Sequence, residues 1–244
     1  MSPRGETVAL APTCLVDLVR PEAAEAAVRV LRRAGHTVTY PEGQTCCGQP
    51  AWNSGYPDEA RRVAETMLAA LATSEGPIVV LSGSCAATML HAWPELFAAD
   101  SRLQGVLDRI VEFGAFVARD ATPAEPRATQ TPTAYHCSCH QRRGLRDESS
   151  GAALLDALPG IERREAAEED TCCGFGGTFS IKFAGVSGAM GRDKARWTQE
   201  SGAEELVSGD LGCLLHIEGA AKAAGTPIRA LTLPELLDRE GYVP

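Results

Sequence analysis

The chemistry this chain offers is carried by thiols. Nine cysteines are present, and eight of them form two matching quartets: Cys14, Cys46, Cys47 and Cys85, then Cys139, Cys172, Cys173 and Cys213. Cys14 and Cys139 stand 125 positions apart, Cys46 and Cys172 126, and Cys85 and Cys213 128, which marks an internal duplication. Each quartet holds an adjacent pair followed by glycine: Cys46-Cys47-Gly48, and Cys172-Cys173-Gly174-Phe175-Gly176-Gly177. Neighbouring thiols on extended backbone point to opposite sides, so they rarely grip one ion together but readily reach two atoms of a cluster. The glycines permit positive φ and let bare N–H groups approach an anion, and a thiolate-bound iron–sulfur cluster is such an anion. Four thiolates also suit a tetrahedral zinc ion, the alternative reading, although Cys172 and Cys173 would then be strained as a same-ion pair.

Those thiols must be delivered by ordered elements. The short apolar run from Thr7 to Leu10 predicts a strand just before Cys14; Pro21 opens a helix that Gly35 closes. A second strand over Val38 to Tyr40 leads into the first Cys-Cys-Gly. A helix from about Pro57 follows, and then the unbroken apolar strand Ile78 to Leu81, which suits a parallel sheet covered on both faces and ends just before Ser82-Gly83-Ser84-Cys85. RIVEFGAFVARD, Arg109 to Asp120, reads as a closing strand and short helix. The second half repeats these events: a strand over Thr133 to His136, a helix around Ala152 to Leu158, a polar stretch from Glu162 to Asp170, a long helix over Ser187 to Glu200, and a strand over Glu205 to Val207. RALTLPELLDRE, Arg229 to Glu240, aligns with the end of the first half. All quartet members thus sit where strands end and helices begin, the edge of an open parallel sheet where ligands collect. The expected fold is α/β: two tandem repeats, each a small mainly parallel sheet flanked by helices, related by a pseudo-two-fold axis. The expected domains are residues 1–120 and 133–244, joined by a proline-, alanine- and threonine-rich linker over 121–132.

Composition narrows the role. A net charge of −9 without a concentrated basic surface argues against nucleic acid. No apolar run reaches membrane-spanning length, and Glu6, Pro12 and Asp17 interrupt the weak apolar stretch after Arg4, against a signal peptide. The expected location is the cytoplasm, where thiols stay reduced and serve metals more than disulfides.

Two Cys-Cys-Gly motifs with matched flanks resemble the paired cysteine-rich CCG domains found in heterodisulfide reductase, in the glycolate oxidase iron–sulfur subunit and, most closely, in the lactate utilisation protein A family. Ser82-Gly83-Ser84-Cys85-Ala86, Tyr135 with Ser138-Cys139-His140, Cys172 to Lys182, and Asp210 with Cys213-Leu214-Leu215-His216 carry the likeness. The resemblance implies an iron–sulfur electron-transfer subunit of a complex that oxidises L-lactate to pyruvate, holding up to two 4Fe-4S clusters. It also implies a ferredoxin-type iron–sulfur partner, since this chain lacks a C-x2-C-x2-C-x3-C run. Where some relatives carry a fifth cysteine, this chain has Thr88 and His216, which argues against a five-cysteine, noncubane cluster. Cys137 is an extra thiol, open to reading as a fifth ligand, a spectator or a buried residue. A thiol–disulfide reductase of the heterodisulfide type is the remaining alternative, with Cys137 beside Cys139 as the spare thiol. His140 and His216 are candidate donors to cluster sulfur, whereas His36, His91, Lys182 and Arg192 read as surface groups and Trp52, Trp93 and Trp197 as packing residues.

Overall fold

The computed structural model describes residues 5–243; Arg4 lies outside them. In the first half, β1 (Thr7–Ala11), β2 (Thr37–Thr39), β3 (Ile78–Val80) and β4 (Ile110–Glu112) form a sheet in the order β2-β1-β3-β4. In the second, β5 (Thr131–Tyr135), β6 (Ile161–Arg164), β7 (Glu205–Ser208) and β8 (Arg229–Thr232) form the order β6-β5-β7-β8. Every neighbouring pair is parallel. The central strands β3 and β7 are buried along their whole length, as strands covered by helices on both faces must be.

Two details depart from the expectations. A strand, β6, occupies the start of the stretch read as polar. It is an edge strand, so Arg163 and Arg164 stay half-exposed and pair with Asp156, Glu165 and Glu162 at its rim. β5 begins at Thr131, inside the segment read as linker, because its N-terminal residues pair in register with β6 from Thr131 opposite Ile161.

Helix contacts between the halves come in reciprocal pairs. The helix Pro21–Arg33, which follows β1, packs on the closing helix Leu233–Arg239; the helix Ser150–Asp156, which precedes β6, packs on the closing helix Phe113–Val117. Likewise the helix Gly83–His91 meets the turn His140–Gly144, and the helix Leu211–Ala223 meets Cys14–Val19. Each surface of one half meets the matching surface of the other, which is the signature of a two-fold relation. The halves also share a core: one apolar cluster runs from Val8, Leu31 and Phe113 through to Leu154, Leu206 and Leu237. A second, around Met67, Leu68, Leu71 and Trp93, draws its buried residues from the first half, with Leu145 of the second packed against it. Among the described residues no helix is long and apolar enough to cross a membrane.

Candidate metal centres

Parallel strands send all their carboxyl ends to one edge, and the thiols gather there. Cys14 opens the helix after β1, Cys46 and Cys47 lie in the loop after β2, and Cys85 is in the first turn of the helix after β3. Cys139, Cys172, Cys173 and Cys213 hold the same places after β5, β6 and β7. The first foursome lines one pocket and the second another. Gln49, Pro50, Ser84, Phe175, Gly177 and Asp210 belong to both walls, so the two pockets are neighbours across the pseudo-two-fold axis.

The turns that present the adjacent pairs require glycine. Gly48 has φ 89° and Gly174 φ 87°. A Cβ on Gly48 would stand 2.8 Å from the Ala60 carbonyl oxygen, and one on Gly174 would stand 2.7 Å from Met190 Cβ and 2.9 Å from the Ser187 oxygen. Bare N–H groups reach the sulfurs as a result: Gly174 N–H donates to Cys172 Sγ at 3.4 Å, and Phe175 N–H to Cys173 Sγ at 3.5 Å. Each loop is fastened from behind. Trp93 Nε1 donates to the Cys47 oxygen at 3.0 Å, and Ser187 Oγ to the Gly174 oxygen at 2.7 Å.

Within each foursome the thiols touch. Cys139 Sγ lies 3.9 Å from Cys172 Sγ, and Cys173 Sγ lies 3.0 Å from Cys213 Sγ. The first thiol of each adjacent pair is held well below the ordinary thiol range. Cys46 receives hydrogen bonds from the Cys14 and Cys47 thiols, and Cys172 from those of Cys139 and Cys173. Their neighbours Cys14, Cys47, Cys139 and Cys173 are pushed up by the same contacts and by burial. Thiols bind metal as thiolates, so metal uptake at either foursome releases protons.

Asp210 joins the two centres. It stands at the start of its own helix, yet its Oδ2 accepts from Ser84 N at 2.9 Å and from Ser82 Oγ at 3.2 Å, at the start of the helix of the other half. Ser82 Oγ in turn accepts from Cys85 N. A carboxylate at a helix N-terminus is favoured by the unpaired N–H groups there.

The remaining candidates separate cleanly. Cys137 is buried and donates to the Asp147 oxygen at 3.5 Å; burial pushes its thiol up to about 11, and it stands outside the second foursome. His140 Nδ1 lies 3.7 Å from Cys139 Sγ, at the pocket wall. His216 is occupied elsewhere, its Nε2 within 3.2 Å of Ser187 Oγ and 3.0 Å of the Ser187 oxygen, which braces the loop fastening. Lys182 and Arg192 are exposed, and Trp93 is wholly buried.

Two residues were not singled out from the sequence. His136 is 5% exposed, its Nε2 has no hydrogen-bond partner, and a nitrogen of its ring and the sulfurs of Cys173 and Cys213 all lie within 4.8 Å of one another. Lys194, also buried, caps the Glu168 and Glu169 oxygens beside the same centre. The signal was available in the repeat register, where His136 matches Ala11 (125 apart) and Lys194 matches Met67 (127 apart).

As for the fit of a cluster, each pocket offers four thiols, N–H groups aimed at sulfur, and one thiol already inclined to ionise, the donor set of a thiolate-bound iron–sulfur group. The same four thiols also match a zinc ion, and the Cys139–Cys172 spacing agrees with the edge of about 3.8 Å expected of a tetrahedral zinc–thiolate site.

Comparison with known proteins adds the following. The cysteine-rich domain model CCG matches residues 8–90 and again residues 133–218. Lactate utilization protein A of Halalkalibacterium halodurans is 37% identical over 238 residues, 96% of this chain and 97% of that protein. Lactate utilization protein A of Macrococcus caseolyticus is 38% identical, over 96% of each chain. Among solved structures, a hypothetical protein from Helicobacter pylori superposes with a TM-score of 0.59 at 13% identity, covering 96% of this chain and 49% of that one, a likeness of fold alone.

Proposed function

The chain belongs to the lactate utilization protein A family, built from two cysteine-rich domains, and on that premise we propose that it carries electrons through iron–sulfur clusters in lactate oxidation. It acts as a subunit of a cytoplasmic complex that converts L-lactate to pyruvate. Cys14, Cys46, Cys47 and Cys85 hold one 4Fe-4S cluster, and Cys139, Cys172, Cys173 and Cys213 the other. The observation that carries this reading is the convergence of two thiol foursomes on neighbouring pockets with a common wall. Such a cluster supplies one-electron transfer. The chain's own groups do the rest: N–H donors of the glycine loops offset charge on sulfur, and burial keeps water from the inner thiols Cys47 and Cys173. The sequence offers no dinucleotide fingerprint, so removal of hydride from lactate falls to another subunit, and a ferredoxin-type iron–sulfur protein is the proposed partner.

Anaerobic coexpression with such a partner, with iron and sulfide assayed and the reduced sample examined by electron paramagnetic resonance, tests this. Brown protein with signals from two centres is expected; colourless protein with stoichiometric zinc would remove the proposal. The close sulfur spacing and the convergence of His136, Cys173 and Cys213 favour, as a second reading, a single zinc ion in the second half. The same metal assay separates them.

A further inference from the structure

We infer that the imidazole of His136 is a ligand of the second metal centre through Nε2, so that this centre is bound by nitrogen as well as sulfur while the first is bound by sulfur alone. The inference rests on the reading of the foursomes as metal sites, and it deepens that reading by distinguishing the two.

Atoms that share one metal ion lie roughly 3.5–4 Å apart, given metal–sulfur bonds of about 2.3 Å and metal–nitrogen bonds of about 2.0–2.1 Å. A ring nitrogen of His136 and the sulfurs of Cys173 and Cys213, all within 4.8 Å of one another, come close to that spacing, and Nε2 is the nitrogen left without a partner. The side chain is not there by slack in the chain. His136 follows β5 directly, its N–H donates to the Val207 oxygen at 2.7 Å, and its own oxygen accepts from Ser208 Oγ at 2.7 Å. The backbone is therefore pinned to β7 on both sides, and the ring is held in place. A buried imidazole nitrogen left without a partner costs free energy, and buried polar atoms without partners are uncommon. A metal coordinated by its thiol neighbours supplies the missing partner. The first half cannot do the same, because Ala11 occupies the matching place and is fully buried.

The full chain, labelled with 14N- or 15N-histidine, reconstituted anaerobically with iron and sulfide and then reduced, gives the test by pulsed electron paramagnetic resonance. The expected result is the strong nitrogen coupling of a directly bound imidazole. It should vanish in His136→Ala and persist in His140→Ala and His216→Ala, with the first centre unchanged in all three. His136→Gln, matched to wild type by circular dichroism, should lose the coupling too and so separates loss of a ligand from loss of fold. A coupling that survives His136→Ala, or one with the weak magnitude of a ring merely hydrogen-bonded to sulfur, overturns the inference. Titration of the metal-free chain with cobalt(II) keeps the two claims apart. If no iron is retained but the cobalt spectrum reports mixed nitrogen and sulfur ligands that become all-sulfur in His136→Cys, the iron–sulfur reading fails and the ligand assignment stands. Cobalt bands identical in wild type and His136→Ala overturn the assignment, and a chain that takes up neither metal overturns both.

Discussion

The two foursomes are alike as far as the sulfur atoms and unlike behind them. Cys47 and Cys173 are each 3% exposed, Cys85 and Cys213 are buried, and the remaining two thiols of each set are half-exposed. In both halves the same thiol, the first of the adjacent pair, is the one its neighbours' hydrogen bonds push down. Behind the first set stand Ala11, Leu68, Met67 and Trp93, all wholly or almost wholly buried and apolar apart from one indole N–H. Behind the second stand His136, Lys194, Ser187 and His216. Duplication thus preserved the thiol frame while the surroundings diverged, from an apolar wall to one with a cation and imidazoles. Charge and hydrogen bonds around a metal site tune its potential, so equal thiol sets need not mean equal centres.

The harshest way to test that comparison is to delete one centre at a time. Cys46→Ser and Cys172→Ser should each remove about half the bound iron and leave the spectrum of the other centre standing. If either single variant empties both pockets, the halves are coupled more tightly than their separate thiol sets imply. Next in size are Gly48→Ala and Gly174→Ala. Each forces an L-residue to positive φ and drives a methyl group into backbone or side-chain atoms under 3 Å away, at a combined cost of about 2–5 kcal/mol. Denaturant unfolding measures it. Gly5→Ala, at a positive φ with open space around it, should cost only the backbone share.

The repeat explains what could be read in advance. Cysteines in parallel α/β units collect at strand ends, so spacing alone located the thiols on one edge, and the apolar runs at Thr7 and Ile78 located the strands that lead to them. Edge strand β6 escaped because Ile161 is its only apolar residue, and periodicity cannot speak for a strand whose charged side chains face solvent. The cross-connection from Asp210 to Ser84 escaped for a different reason. Its partners lie 126 positions apart and meet only when the halves close on each other. His136 and Lys194 look ordinary in isolation, as a histidine ending a strand and a lysine on a helix. Only subtraction of one repeat from the other, histidine against alanine and lysine against methionine, marks them.

The closing helices offer a milder contrast. β4 ends in Glu112 and β8 in Thr232, and each side chain caps the helix that follows: Glu112 Oε2 accepts from Ala115 N at 3.0 Å, and Thr232 Oγ1 accepts from Glu235 N at 3.4 Å. Burial, opposed by the N–H groups of Ala115 and Gly114, pushes the Glu112 carboxyl up to about 7 from an ordinary 4.5. The folded chain then holds a proton that the unfolded chain releases, so stability falls as pH rises from about 4.5 to about 7 and levels off above. The full effect of such a shift is about 3 kcal/mol. Glu112→Gln should abolish that part of the slope, measured by unfolding at pH 5 and pH 8. Thr232→Val should lower stability by about 1 kcal/mol at both pH values. An unchanged slope in Glu112→Gln would place the pH dependence elsewhere.

The finest test concerns the cation. Lys194 is buried beside the second centre, its ammonium donating to the Glu168 oxygen at 2.5 Å and the Glu169 oxygen at 3.2 Å and lying 5.5 Å from the Trp197 ring centre. Met67, its counterpart, brings no charge to the first. A positive charge stabilises the more negative, reduced state of a neighbouring cluster, so Lys194→Met should lower the potential of the second centre alone. One charge acting through a medium of effective dielectric near 20 gives a shift on the order of 50–100 mV. A redox titration followed by electron paramagnetic resonance reads both centres in one sample. Since the ammonium is buried, added salt should leave the shift nearly intact, whereas Lys182→Met, which removes an exposed charge, should produce a smaller change that salt erases. Equal potentials in wild type and Lys194→Met would mean that the polar wall of the second half positions its loop and does not tune its centre.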